Sequence, residues 1–175
     1  MRGWSFLSNY LDAPNGRIWI GWDTNQLVVS LVGQDGQVMH CEVQDCARTW
    51  RCYVSIIYSI IPLRRMLWAE LLAYAPTCAN EPWLLMGDFN VIRRQGEAVG
   101  GSTSWPEWKG DLENSLREAE LDDLRFNGNF LTWTNRREEE PIMRKLDRVV
   151  CNRRWEDTFP ASEANFQPPL TTLLW

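Results

Sequence analysis

Apolar and polar positions follow two periods along the chain, and these predict strands interrupted by two amphipathic helices. Short β-branched and aromatic runs bounded by glycine, proline or asparagine are typical of strands, whereas apolar residues at three- and four-residue spacing are typical of helices. Strands are predicted at 17–22, 27–32, 37–43, 53–58, 83–86, 130–134 and 143–150, with a turn at 14–16 and a hairpin loop at 33–36. One helix is predicted from Pro62 until Pro76 ends it, and another from a capping box at 104–107 to about Leu121.

The most informative stretch is the apolar run 83–86, which is followed by Gly87, Asp88, Phe89 and Asn90. A continuous apolar run of this length predicts a strand buried on both faces, with polar side chains emerging where the strand stops. There, Asp88 can deprotonate a water or help to hold a divalent cation, and Asn90 can donate to a phosphoryl oxygen without adding charge. The alternative is a plain Asx turn, since such residues end many strands.

A second candidate site lies in the last predicted strand, where Asp147 stands between basic residues. The strand pattern places Lys145, Asp147 and Val149 on one face and Leu146 and Val150 on the other. A carboxylate held in a strand can orient a histidine in a general-base pair. The alternative is an ion pair with Arg144, Lys145 or Arg148.

Three further side chains are candidates for binding or catalysis. Tyr58 ends its strand and can either hydrogen-bond a phosphate or cap the sheet edge. Trp133, between two threonines, can stack on a base or sugar, or else belong to the core. His40 is the chain's only histidine, and the alternation around it favours a solvated strand residue.

Composition and charge limit the function classes. The 175 residues, 45% of them hydrophobic and 11 of them tryptophan, predict one globular domain. The order of strands, helix, strand, helix and hairpin predicts that it is a layered α/β domain with no internal boundary. A net charge of −5 argues against general coating of nucleic acid, although a local basic patch is compatible with it. Five scattered cysteines favour a reducing, intracellular setting over a disulfide framework or a zinc site. Neither a secretory signal nor a membrane span is expected.

Taken together, several segments resemble the exonuclease/endonuclease/phosphatase superfamily. They occur in the family's order, and they are closest to the endonuclease domain of plant LINE-type (non-LTR) retrotransposon polyproteins. The segments that carry the resemblance are Tyr58 after its apolar strand, Gly87-Asp88-Phe89-Asn90, Leu131-Thr132-Trp133-Thr134-Asn135 and Lys145-Leu146-Asp147-Arg148. Weaker similarity covers nearly the whole chain.

The resemblance implies a fold, a reaction and a set of site residues. The fold would be a four-layer α/β sandwich, in which two packed, mainly antiparallel sheets are flanked by helices. The reaction would be Mg²⁺-dependent cleavage of a DNA phosphodiester, in the nucleus if the protein is functional. By resemblance, Asp88 activates the attacking water and contacts the metal, Asn90 and Tyr58 contact the phosphate, and Asp147 orients the catalytic histidine.

The chain departs from the family pattern at both ends. No residue matches the metal-binding glutamate of the family's N-terminal strands, and no Ser-Asp-His motif follows Pro168 and Pro169. The segment 59–62 also lacks the glycine and asparagine that the family has after the tyrosine. We therefore expect a sandwich that is incomplete at both edges and a catalytically impaired or inactive domain. The alternatives are a non-catalytic module that binds DNA or protein, and a phosphatase of the same superfamily.

Overall fold

A six-stranded sheet formed largely by the predicted central strands organises the fold. The computed structural model describes residues 3–11, 13, 16–102, 104, 106 and 110–168. The strands are β1 Trp4–Ser8, β2 Trp19–Asp23, β3 Leu27–Gln34, β4 Val38–Asp45, β5 Arg51–Tyr58, β6 Trp83–Asp88, β7 Ala98–Val99, β8 Asp122–Asp123, β9 Phe126–Gly128, β10 Trp133–Thr134, β11 Met143–Arg144, β12 Asp147–Cys151 and β13 Ala164–Phe166. The helices are α1 Arg64–Cys78, α2 Asp111–Glu118 and α3 Arg153–Thr158, and short 3-10 turns cover Ile61–Leu63 and Gln95–Glu97.

The large sheet has the strand order β3-β4-β5-β6-β12-β8. All of its neighbouring strands are antiparallel except β5 and β6, which are parallel because α1 carries the chain back between them. Alternate residues of the strands face α1 and α2 and form the main core. The members of that core on β6 and β12 are Trp83, Leu85 and Val150, and Leu67, Leu71 and Leu116 pack against them from the helices.

The opposite face of the large sheet is covered by smaller sheets. Leu84 and Cys151 point to this face and form a second cluster with Leu124 and Ala164, supported by the two-stranded parallel sheet β9–β13. A two-stranded antiparallel sheet, β1–β2, and a three-stranded sheet, β10-β11-β7, complete the set. Met86 on β6 remains 38% exposed. The prediction that this strand is buried on both faces therefore holds for residues 83–85 but not for Met86.

The predicted α/β architecture, with several sheets flanked by helices, is confirmed. The predicted stop at Pro76 is wrong, because α1 continues through it to Cys78. Cys78 is completely buried in the main core, so packing of the last helical turn outweighs the unfavourable proline. The part of the chain that the structure describes contains no helix that is long and apolar enough to span a membrane.

The single strand predicted at 143–150 is in fact two strands in different sheets. Met143–Arg144 pairs with β10 and β7, whereas Asp147–Cys151 pairs with β6 and β8. The two residues between them belong to neither strand, although the N–H of Lys145 donates to the carbonyl oxygen of Glu97 and the carbonyl oxygen of Leu146 accepts the N–H of Phe89. The Lys145 side chain is buried, with its Nζ 4.3 Å from the centre of the Phe126 ring. Lys145 reaches the ring of Phe126, which packs in the same cluster as Val149, in agreement with the predicted common face of these residues.

Two further predictions depend on residues that lie partly outside the described part of the chain. The second helix begins at Asp111 rather than near Ser104, and Trp105, Glu107 and Trp108, on which its predicted start depends, lie outside the described residues. Pro14 and Asn15 of the predicted turn, and the segment 169–175, also lie outside them. The strands β1, β7, β8, β9 and β13 and the helix α3 were not predicted, since most of them are only two to six residues long.

Candidate active site

Three predicted residues meet at one end of the large sheet. In the parallel pair, Tyr58 on β5 lies opposite Asp88 on β6. In the antiparallel pair on the other side of β6, Asp147 on β12 lies opposite the same Asp88. Residues in register on adjacent strands project to the same face. The sheet thus aligns a phenol and two carboxylates across three neighbouring strands.

Asp88 and Asn90 form the predicted Asx turn and are also fixed in place by it. The backbone N–H of Asn90 donates to Asp88 Oδ1 at 2.8 Å, and Asn90 adopts a left-handed φ of 50°. The Asn90 amide Nδ2 donates to the carbonyl oxygen of Ser59 at 2.7 Å, which uses one of its two N–H groups. The turn and the site interpretation are therefore compatible.

The surroundings of Asp88 favour a carboxyl group that can accept a proton. Partial burial raises the pKa of Asp88 above its ordinary value, and the negative charge of Asp147 adds to this, against the hydrogen bond from Asn90. A raised pKa makes the carboxylate a better base than a solvated one. This shift is relevant to water activation at the site.

Gly87 lets β6 approach β5 closely at this point. Its φ is +139°, and a Cβ atom built on it would lie 2.0 Å from the carbonyl oxygen of Ile57. Any side chain here would force the two strands apart. The glycine before Asp88 is thus required by the geometry that places Asp88 beside Tyr58.

Asp147 has no ion-pair partner among the described residues, so the predicted pair with a neighbouring base is wrong. Lys145 and Arg148 turn to carboxylates elsewhere, and Arg144 donates to backbone carbonyl groups. The backbone N–H of Asp147 donates to Thr132 Oγ1 at 3.0 Å, which fixes the start of β12. Asp147 thus remains at the site edge without a neutralising cation from the described chain.

His40 lies away from this site, and its predicted solvation is wrong. The residue is 1% exposed, because its ring stacks on Tyr74 of α1 with the ring centres 3.8 Å apart. Its Nδ1 lies 2.7 Å from Ser55 Oγ, and burial lowers the pKa of His40 to about 4. It is enclosed under α1, and since the chain has one histidine, none is left for Asp147 to orient.

Trp133 is 43% exposed, so the prediction that it belongs to the core is wrong. It pairs with Arg144 in the small sheet. It follows Thr132, whose Oγ1 accepts the N–H groups of Leu146 and Asp147. The ring is therefore carried by the hairpin that holds the start of β12, and its exposure permits stacking on a ligand.

Sequence reasoning missed Arg17. Its Nη1 donates to the hydroxyl of Tyr58 at 3.0 Å, and its guanidinium carbon lies 5.0 Å from the centre of the Tyr58 ring. These residues line a cleft of about 520 Å³ together with Ser59 and Asn90. The contact spans 41 positions of the sequence, and the only local signal was a basic residue at the start of the predicted strand 17–22, directly after a turn.

The residues at this end of the large sheet meet the minimal requirement for binding Mg²⁺. Mg²⁺ is commonly bound by one or two carboxylates, with waters and substrate phosphate oxygens completing its octahedron. Asp88 and Asp147 supply two such groups, and their mutual repulsion would be relieved by a cation. The described residues contain no group of three or more His, Cys, Asp or Glu side chains able to hold a metal. The protein would therefore supply only a few of the metal ligands at such a site.

Comparison with known proteins identifies related folds. The profile of the Endonuclease/Exonuclease/phosphatase family matches residues 9–168. The endonuclease domain of TRAS1, a telomere-specific non-LTR retrotransposon, superposes with a TM-score of 0.71 at 15% identity, covering 90% of this chain and 70% of that one. No curated protein sequence matches the chain.

Two other solved structures show the same fold at lower similarity. TDP2 of D. rerio, complexed with single strand DNA product, has a TM-score of 0.53 and 12% identity over 86% of this chain and 62% of its own. The mannosyl-6-phosphatase Bt3783 of Bacteroides thetaiotaomicron has a TM-score of 0.50 and 13% identity over 87% of this chain and 64% of its own. The chain thus spans less than two thirds of these two relatives.

Proposed function

Because the chain belongs to the endonuclease/exonuclease/phosphatase family, we propose that it is a retroelement-derived, endonuclease-like domain that binds DNA at the edge formed by Tyr58, Asp88 and Asp147 and cleaves it poorly or not at all. The observation that carries this proposal is the alignment of these three residues on neighbouring strands. The similarity in fold to the TRAS1 endonuclease domain and to TDP2 complexed with single strand DNA product supports the choice of DNA as ligand.

The proposed chemistry follows from what each residue can donate or accept. Asp88, with its raised pKa, would take a proton from the attacking water. Asn90 and Tyr58 would donate to phosphoryl oxygens and hold the phosphodiester in line with that water. A Mg²⁺ ion held by Asp88 and Asp147 would supply charge neutralisation of the phosphoryl oxygens when bound.

The same geometry supports impairment. Asp147 has no histidine to orient, since His40 is buried under α1. Loss of one acid–base group typically lowers a rate by about 10²- to 10⁴-fold. A metal held by only two carboxylates would also bind weakly without a substrate. We therefore expect the protein to retain DNA binding even though most or all of its cleavage activity is lost.

A nicking assay tests the catalytic half of the proposal. Supercoiled plasmid is incubated with Mg²⁺ and either the unaltered protein, Asp88→Asn, or Asp157→Asn, which removes a carboxylate from α3 as a matched control. We expect all three proteins to nick at or near background. Nicking well above background that is lost in Asp88→Asn alone would overturn the claim of impairment.

A binding assay tests the other half. A fluorescent duplex is titrated with protein in EDTA at several salt concentrations, so that cleavage cannot interfere. We expect salt-sensitive binding that persists in Asp88→Ala, because phosphate contacts rather than the carboxylate supply the affinity. Absence of any binding at low salt would reject the DNA-binding role and leave a protein-binding module or a phosphatase as the alternatives.

A phosphatase is the second candidate, supported by the fold of Bt3783 and by the size of the cleft beside Tyr58. It predicts release of phosphate from a small phosphomonoester in the presence of Mg²⁺, with dependence on Asp88. The exposed Trp133, which can stack on a further base, favours the longer DNA ligand, so we rank the phosphatase second.

A further inference from the structure

The cleft beside Tyr58 has a polar side that suits a phosphate. Its polar lining consists of Arg17, Tyr58, Ser59 and Asn90. No carboxylate of the described residues pairs with Arg17, and the contact with Tyr58 uses one of its five N–H groups. Guanidinium groups of this kind bind phosphate oxygens with two parallel hydrogen bonds.

An unsatisfied hydroxyl provides independent evidence for a ligand. Ser59 is completely buried, and its Oγ has no hydrogen-bond partner among the described residues. Leaving a buried hydroxyl without a partner costs about 1–3 kcal/mol, so most such groups are paired. Since Ser59 lines the cleft, an acceptor bound there could receive this hydrogen bond.

The other side of the cleft is apolar. Ile60, Ile61 and Pro62 line it, and Ile61 is 58% exposed. This is the segment that departs from the family pattern after the tyrosine. Ligand sites commonly combine such an apolar wall with a few placed polar groups, in volumes of about 300–1,000 Å³. The cleft, at about 520 Å³, is in that range.

We propose that this cleft binds one nucleotide unit of a nucleic acid, next to the phosphate that faces Asp88. Arg17 and Tyr58 hold the phosphate of that unit, Ser59 donates to it, and the wall at 60–62 packs against its sugar or base. Arg17 is thus a substrate-binding residue. The ligand class rests on the proposed function, whereas the cleft and its residues do not.

Charge variants test the role of Arg17. A fluorescent single-stranded oligonucleotide is titrated in EDTA with the unaltered protein, Arg17→Gln, Arg17→Lys and Arg154→Gln. Arg154 is exposed on α3 and provides a control for the same loss of charge. We expect Arg17→Gln to weaken binding about 10-fold at low salt and to reduce the slope of log K against log salt by about 1. Arg17→Lys should recover part of this loss, and Arg154→Gln should stay within about 2-fold of the unaltered protein.

A second titration tests the cleft without relying on DNA. Thymidine 5′-monophosphate and inorganic phosphate are added separately, and the backbone NMR signals of residues 58–62 are followed. We expect the nucleotide to shift these signals at lower concentration than phosphate does, because only the nucleotide contacts the apolar wall. Equal effects of the two ligands, or equal effects of Arg17→Gln and Arg154→Gln, would overturn the proposal.

The two proposals can fail separately. If the unaltered protein binds duplex DNA but Arg17→Gln binds the oligonucleotide as well as Arg154→Gln does, the nucleotide cleft is rejected and the DNA-binding function stands. If no DNA binds at low salt but thymidine 5′-monophosphate shifts residues 58–62, the DNA-binding function is rejected and the cleft stands as a site for a free nucleotide.

Discussion

At the scale of single residues, His40 shows how burial changes what a side chain can do. Trp83 Nε1 donates to Ser55 Oγ at 2.8 Å, and the same Oγ is hydrogen-bonded to Nδ1 of the His40 ring at 2.7 Å. His40 Nε2 has no hydrogen-bond partner among the described residues and lies 4.0 Å from Glu70 Oε1. The ring is therefore a structural part of the core in its uncharged form.

This environment predicts a pH-dependent stability. The pKa of His40 is about 4 in the folded protein, mainly through burial, against 6.5 when exposed. Between these values the unfolded chain binds a proton that the folded one does not, so stability is complete above pH 6.5 and falls as the pH is lowered towards 4. The loss attributable to His40 should approach roughly 3 kcal/mol.

Urea unfolding at several pH values measures this effect. His40→Phe keeps a ring against Tyr74 but cannot titrate. Its free energy of unfolding should be lower than that of the unaltered protein at pH 7, since Ser55 loses its hydrogen bond to the ring, but should change less between pH 6.5 and 4. Parallel curves for the two proteins over that interval would contradict the assignment.

At the scale of elements, the contact between β5 and β6 decides the geometry of the site. Gly87 has a φ of +139°, and its missing Cβ leaves room for the carbonyl of Ile57. Gly87→Ala should destabilise the protein by about 2–3 kcal/mol, because the strands must separate or the backbone must change conformation. The same separation would move Asp88 away from Tyr58 and weaken ligand binding.

Gly96→Ala provides the matched control for this prediction. No atom lies within 4 Å of the position that its Cβ would take, so its stability should stay within about 0.5 kcal/mol of the unaltered protein. The comparison is made by thermal or urea unfolding, with the tyrosine and tryptophan signals as reporters. If both alanine variants were equally stable, the close approach of the two strands would be disproved.

The elements also show which features local sequence can predict. The stretch 83–90 carries its strand, its glycine and its polar end within eight neighbouring residues, and the strand and the Asx turn appeared as predicted. The split of 143–150 depends on the pairing of Met143–Arg144 with β7 and β10, and the contact of Arg17 depends on Tyr58. Such contacts join residues far apart in sequence and leave no local period, so they could not be predicted.

At the scale of the whole molecule, a buried network of charges joins the segments around the site strands. Arg93, Glu97, Lys145 and Arg148 are each at most 6% exposed. Arg148 on β12 pairs with Glu97, and Arg93 pairs with Glu113 of α2. The network thus connects the loop after β6, the helix α2 and the strand that carries Asp147.

The fold class was predictable because it follows from the order of strand and helix periods, whereas this network was not. The sequence shows 18 basic and 23 acidic residues, and nothing in their local pattern indicates which of them are buried. Only the folded chain brings Arg148 and Glu97 together across 51 positions. The alternative pairing of Arg148 with Asp147 was equally compatible with the local sequence.

Removal of one partner of a buried ion pair should be far more costly than the same change at the surface. Arg148→Met leaves Glu97 charged and buried without its main partner, which should cost about 3–5 kcal/mol. Arg153 on α3 pairs with Glu156 and Asp157 but is 81% exposed, so Arg153→Met should cost at most about 0.5 kcal/mol. Urea unfolding of both variants gives the comparison.

A second substitution distinguishes two contributions to the stability lost in Arg148→Met, the unpaired charge of Glu97 and the lost packing of the arginine side chain. Glu97→Gln removes the negative charge and keeps an oxygen that can accept the backbone N–H of Arg93, as Glu97 Oε2 does at 2.6 Å. The double variant Arg148→Met/Glu97→Gln should therefore be more stable than Arg148→Met alone, because no uncompensated carboxylate remains in the core. If the double variant were less stable than the single one, the remaining groups around Glu97 would be sufficient to stabilise its negative charge. The cost of losing Arg148 would then come from lost packing.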